Sequence, residues 1–223
     1  MNLWKVFRFV FSWGISIPFA QNFLYHYPVT HAMLSKTLKE RTLTAHQELE
    51  KKLVAKMRDL GSLADYAKLL QLFHTYFGAL EQHVSAFVDE TILPDCAARR
   101  KSTAILEDLI TLDAPVPPVT TELPEISNTA QALGALYVME GSTLGGRHIR
   151  KMLARQLHMD EDHATSFFGG YGEDTDRMWE NFKSALDRFS SPAHDRVIVE
   201  SANQTFRTFS RLFDNYYQNN SWP

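Results

Sequence analysis

From Leu34 to Tyr217 the apolar residues of this chain return every three or four positions, and no stretch shows the period of two that a half-buried strand requires. Leu63, Tyr66, Leu69, Leu70, Phe73, Phe77, Leu80 and Val84 form one such stripe, with Ser62 placed to cap its helix. Leu38, Thr42, Ala45, Leu49 and Leu53 form an earlier one. Pro94 interrupts, a shorter helix is expected over Cys96–Leu112, and the four prolines of Asp113–Pro124 mark a loop. A long helix is expected from Ser127 to Leu157, then a turn over Phe167–Gly172, then helices over Asp174–Phe189 and Pro192–Tyr217. The pattern allows helices packed on helices and little else, so the expected fold is an all-α, single-domain multi-helix bundle.

Composition narrows what such a bundle can do. The 223 residues suffice for one large core, and 44% hydrophobic with 12% aromatic content leaves room for a flat apolar ligand. A net charge of −3 provides no general basic field, which argues against nucleic acid. The lone Cys96 excludes a disulfide framework and a multi-cysteine metal site. Residues 1–32 differ from the rest: a short basic start precedes an apolar run too brief to span a bilayer. In outline the run resembles a signal peptide, but Pro18-Phe19-Ala20 is a poor cleavage site. We therefore read 1–32 as a poorly ordered or signal-like extension ahead of a domain over 33–223, and expect a cytoplasmic location.

Within the long helix, Gly134, Gly141 and Gly145 are spaced by seven and four and fall on one face, with Gly146 adjacent. Each glycine in a helix interior costs about 0.5–1 kcal/mol relative to alanine. Such a bare strip serves either close helix packing or the close approach of a ligand. Ser142, between the glycines, can donate to or accept from a water on that face. Glu140 and Arg147 read as a solvated or inter-helix pair on other faces.

His46 shares a stripe with Thr42, Leu49 and Leu53, so it points toward the interior or its edge. There it is either a ligand for haem iron, with its second nitrogen fixed by a hydrogen bond, or a core-edge histidine bonded to a backbone carbonyl. Lys39 lies two turns earlier on the same face, where its charge can neutralise an anionic ligand or simply meet solvent.

Leu38 to Glu50 (LKERTLTAHQELE) followed by Tyr137 to Gly146 (YVMEGSTLGG) resembles a bacterial haem oxygenase, most closely the biliverdin-producing type that accompanies bacteriophytochromes. Similarity runs from about Leu34 to Phe213. The resemblance implies a haem-oxygenase-like bundle in which His46 is the proximal iron ligand. It implies that Gly141, Gly145 and Gly146 belong to a bent distal helix that lets backbone approach iron-bound O2, and that Lys39 pairs with a haem propionate. Lys183 resembles a second propionate partner, with a solvated surface lysine as its alternative. Tyr137 and Phe182 either pack on the porphyrin or serve as core aromatics, and His148 faces away from the iron. Ser142 stands where the animal enzymes carry a carboxylate that organises distal water, so that network is arranged differently here.

The activity so implied is oxidative cleavage of haem b, at once substrate and cofactor, to biliverdin, carbon monoxide and ferrous iron. O2 is the co-substrate, and an external ferredoxin- or reductase-type donor supplies electrons. A bacteriophytochrome is the expected recipient of biliverdin, with iron acquisition as the other role. The alternative is a non-enzymatic haem carrier or sensor on the same fold.

Overall fold

The computed structural model describes residues 33–99 and 102–218. Among them there are helices and no strand, and no helix is long and apolar enough to cross a membrane. The reading of 1–32 lies outside the described residues. In chain order the α-helices are α1 (Leu34–Arg41), α2 (Leu43–Arg58), α3 (Leu63–Val84), α4 (Thr103–Thr111), α5 (Thr129–Gly141), α6 (Gly146–Leu157), α7 (Ser166–Gly169), α8 (Thr175–Phe189) and α9 (Pro192–Gln218). Short 3₁₀ turns occupy Cys96–Ala98, Ser142–Gly145 and Gly172–Asp174.

The expected elements are present, but three are more broken than periodicity suggests. The first helix divides at Thr42, whose buried hydroxyl donates to the Leu38 carbonyl at 2.8 Å and bends the chain there. The Cys96–Leu112 helix reduces to a 3₁₀ turn and α4. The long glycine-bearing helix is interrupted by a 3₁₀ turn. Ser142 donates to the Met139 carbonyl at 2.6 Å and Thr143 to the Glu140 carbonyl at 2.7 Å, a three-residue reach that tightens the helix into that turn. The turn read over Phe167–Gly172 contains the single-turn helix α7, closed by Gly170 and Gly172 at φ +57° and +58°. The caps follow the sequence more closely: Ser62 accepts from the Asp65 amide at 3.1 Å, and Asn128 accepts from the Gln131 amide at 3.0 Å.

α5 is the centre of the molecule. Every residue from Ala132 to Gly141 is buried, which is the signature of a helix surrounded on all sides. Its longest contact is with α9, and Gly134 explains it: a Cβ there would lie 2.4 Å from the Ile198 carbonyl oxygen. Gly134 thus serves helix packing and leaves the ligand-facing strip the sequence suggested. α3, also buried on most of its surface, contributes Tyr76, whose hydroxyl donates to the Thr205 carbonyl of α9 at 2.8 Å. Phe73, Phe77, Phe167, Phe168 and Phe209 meet in one aromatic cluster with ring centroids 5.1–5.9 Å apart, stacked and edge-on.

α7 is short but firmly held. Asp108 on α4 accepts from the amides of Ser166 and Phe167 at 2.7 and 2.8 Å, satisfying donors that a helix start leaves open. This fixes the two phenylalanines that close the back of the cleft described next.

Candidate active site

One wall of a deep apolar cleft comes from α1 and α2: Lys39, Thr42, Leu43, His46, Leu49, Glu50 and Leu53. The opposite wall is the end of α5, the 3₁₀ turn and the start of α6: Val138, Gly141, Ser142, Gly145 and Ile149. Phe73, Phe77, Phe167, Phe168 and Phe209 close the back, and Trp179 of α8 stands at one side. The cleft holds about 1140 Å³ of atom-free space and opens to solvent.

His46 is half-buried on the first wall, edge-on to Phe206 with ring centroids 5.4 Å apart. Its Nδ1 lies 4.0 Å from a carboxylate oxygen of Glu50, one turn further along α2. Burial lowers the imidazole pKa to about 4 and raises that of Glu50, because both charged forms are poorly solvated here. His46 is therefore neutral at physiological pH, the form that ligates a metal. Among the described residues no group of three or more His, Cys, Asp or Glu is placed to hold a metal ion.

Across the cleft, Gly141 and Gly145 present backbone where any other residue would present a side chain. A Cβ on Gly141 would meet the Trp179 indole at 3.9 Å, ordinary contact, so the position faces open cleft bounded by that ring. Tyr137 lines the same wall, tilted against Trp179 with centroids 5.6 Å apart. Burial pushes its hydroxyl up to about 12, partly offset by the nearby Thr42 side chain. The Ser142 hydroxyl commits its hydrogen to the Met139 carbonyl, so its first task is to shape the turn.

Several expectations are corrected. Gly146 does not face the cleft: a Cβ there would lie 1.8 Å from the Phe168 carbonyl oxygen, so this glycine lets α6 touch α7. Lys183 does not line the cleft and pairs with Glu180 at 2.8 Å on its own helix, whereas Lys39 stands exposed at the mouth. Of the two readings of Phe182 the core aromatic holds, as it is fully buried and stacked on Trp179. Glu140 is neither solvated nor paired with Arg147. It is 4% exposed and accepts from Arg99 Nη1 at 2.8 Å, while Arg147 is exposed on α6. His148 is exposed, as expected.

Trp179 and Phe206 escaped the sequence reading because their contacts are long-range. Trp179 stands three positions before Phe182 and reads as part of the core stripe of α8.

A neutral imidazole, two glycines that leave backbone exposed in the same cleft, apolar rings behind and a cation at the mouth fit a flat anionic metal macrocycle. The family model for Heme oxygenase matches residues 32–215. The chain belongs to the haem oxygenase family. It is 32% identical over 145 residues to a heme oxygenase of Xanthomonas campestris, covering 65% of this chain and 86% of the relative. Against Heme oxygenase PigA of Pseudomonas aeruginosa it is 27% identical over 182 residues, covering 81% and 91%. A crystal structure of the heme oxygenase from Neisseria meningitidis shares the fold with a TM-score of 0.71 at 22% identity, over 83% of this chain and 92% of that one. As a member of this family the chain is an enzyme that degrades haem to biliverdin.

Proposed function

We propose that haem binds edge-first into this cleft with its iron on His46 and its other face against Gly141 and Gly145. The observation that carries this reading is that a half-buried, neutral imidazole and two glycines line the same deep apolar cleft. Bound haem supplies the redox chemistry: it activates O2 with electrons from an external donor and is itself opened at a meso carbon, yielding biliverdin, carbon monoxide and ferrous iron.

The protein's residues supply the rest. His46 offers a ring nitrogen to the iron, with the Glu50 carboxylate 4.0 Å from Nδ1. Gly141 and Gly145, lacking side chains, let a small diatomic ligand approach their peptide groups, which bound the directions in which it can lean. Lys39 at the mouth pairs with a propionate and limits rotation of the ring in its plane. The phenylalanine cluster and Trp179 exclude bulk water. Ser142, held on the turn, is placed to accept from an ordered water on the distal side.

A small ferredoxin- or reductase-type protein as electron donor, a bacteriophytochrome as recipient of biliverdin, and a cytoplasmic location complete the reading. The test is spectroscopic: with haem, a reductant and air, the Soret band should bleach while a broad red absorption grows, and His46→Ala should abolish both the native Soret position and the turnover. A Soret band that persists unbleached in the wild type would mark a carrier. Unchanged turnover in His46→Ala would remove the ligand assignment.

A further inference from the structure

Behind the bare wall, on the far side of α5, lies an ion pair that takes no part in the reading above. Glu140 and Arg99 are 4% and 5% exposed, and Arg99 Nη1 donates to Glu140 at 2.8 Å. The Tyr171 hydroxyl is 2.9 Å from each carboxylate oxygen of Glu140. The same Nη1 donates to the Met178 carbonyl at 2.9 Å, and Arg99 Nε and Nη2 donate to Asp95 at 2.9 and 2.6 Å. Asp95 in turn accepts from Asn181 at 3.1 Å.

Energetically this is an odd place for a carboxylate. Glu140 sits in the last turn of α5, where the helix dipole is negative and a cation is favoured. Burying an ion pair rarely gains stability over apolar packing, so its value is more often geometric. Its neighbours suggest what the geometry serves. Glu140 precedes Gly141, and Met178 precedes Trp179; Gly141 and Trp179 are the two cleft residues that face each other. One guanidinium, bonded to Glu140 and to the Met178 carbonyl, therefore spans the residues immediately behind both.

We infer that Arg99, Glu140 and Tyr171 are positioning residues that set the separation between the Gly141 backbone and the Trp179 ring, and so decide where a ligand on the distal face can lean. This rests on the proposed haem orientation. Loosening the clamp frees the Gly141–Gly145 segment without touching the cleft lining, and the outcome changes before the overall fold does.

The test uses Tyr171→Phe, which removes one hydroxyl, and Glu140→Gln, which keeps the shape and removes the charge. In the protein without haem, amide exchange over residues 141–145 should speed up about tenfold in both variants, while α3 and α9 keep wild-type rates. With haem, the ratio of biliverdin meso isomers should shift while the Soret position stays that of the wild type. Exchange that rises evenly along the chain assigns the cluster to global stability and overturns the inference. Unchanged local exchange in Tyr171→Phe does so too, even where Glu140→Gln fails to fold. An unchanged isomer ratio, with wild-type turnover intact, rejects control of the reaction. Should the wild type not turn over haem, the exchange result stands alone, and only the proposed function fails.

Discussion

Alanine at Gly141 adds a methyl group to a backbone already at φ −59°, so the conformation itself is undisturbed. Its nearest neighbour would be Trp179 at 3.9 Å. Gly141→Ala should therefore stabilise the haem-free protein by about 0.5–1 kcal/mol through reduced freedom of the unfolded chain, measurable as a rise of a few degrees in Tm. The same methyl enters the face on which the proposed reading seats O2, so turnover should fall. Five residues on, Gly146 also has helical angles (φ −56°), yet its Cβ would overlap the Phe168 carbonyl. Gly146→Ala should destabilise by on the order of 3 kcal/mol or more, since neither backbone can give way cheaply. Chemical denaturation of the two variants checks both signs. In the sequence these glycines look alike, because spacing reports a face of a helix and not what packs on it. Lys183 shows the same limit: Lys183→Ala should leave haem affinity within twofold of wild type, as its ion pair with Glu180 is a surface contact worth about 0–1 kcal/mol.

Among the elements, the helices were legible because their apolar stripes are long, and the bend at Gly141–Gly145 was expected from the resemblance; the hydroxyls that shape the interruptions were not. A hydroxyl that bonds back to a carbonyl three or four residues earlier leaves periodicity intact while bending the axis, as at Thr42, Ser142 and Thr143. The proline-rich loop was legible as a loop, but not its role as a strap along α3. Gln71 donates to the Pro115 carbonyl at 2.8 Å, Thr75 Oγ1 to the Pro118 carbonyl at 3.2 Å, and the Thr120 amide to the Thr75 carbonyl at 3.0 Å. Beneath the strap His74 is buried, and burial lowers its pKa, offset in part by the Pro117 carbonyl. Below pH 6.5 an unfolded chain binds a proton there that the folded one resists, so this contribution to stability is present above pH 6.5 and lost as the pH falls through the lowered value. Exchange over residues 114–120 should accordingly rise on acidification in the wild type and lose much of that pH dependence in His74→Gln.

At the scale of the whole molecule, haem is a ligand of the native state alone and should stabilise it by mass action. At a hundredfold excess over its dissociation constant the gain is about 2.7 kcal/mol, which for a chain of this size corresponds to roughly 5–10 °C in Tm. Calorimetry with and without ferric haem measures it, and His46→Ala should lose most of the shift.

The way in for a rigid ring follows from the burial of α5. A helix enclosed on every side and knitted to α9 at Gly134 is a fixed post. Facing it, α1 and the first turn of α2 carry Leu43 and Thr44 exposed to solvent and meet at the kink of Thr42. Their far ends are fastened, Ser35 to Asp187 and Lys52 to Asp214, and the middle rests on α9 through Asn203 at the Arg41 carbonyl and Phe206 at the His46 ring. A ring that enters the cleft therefore lies between one wall fixed at the centre of the molecule and one outer panel that carries His46.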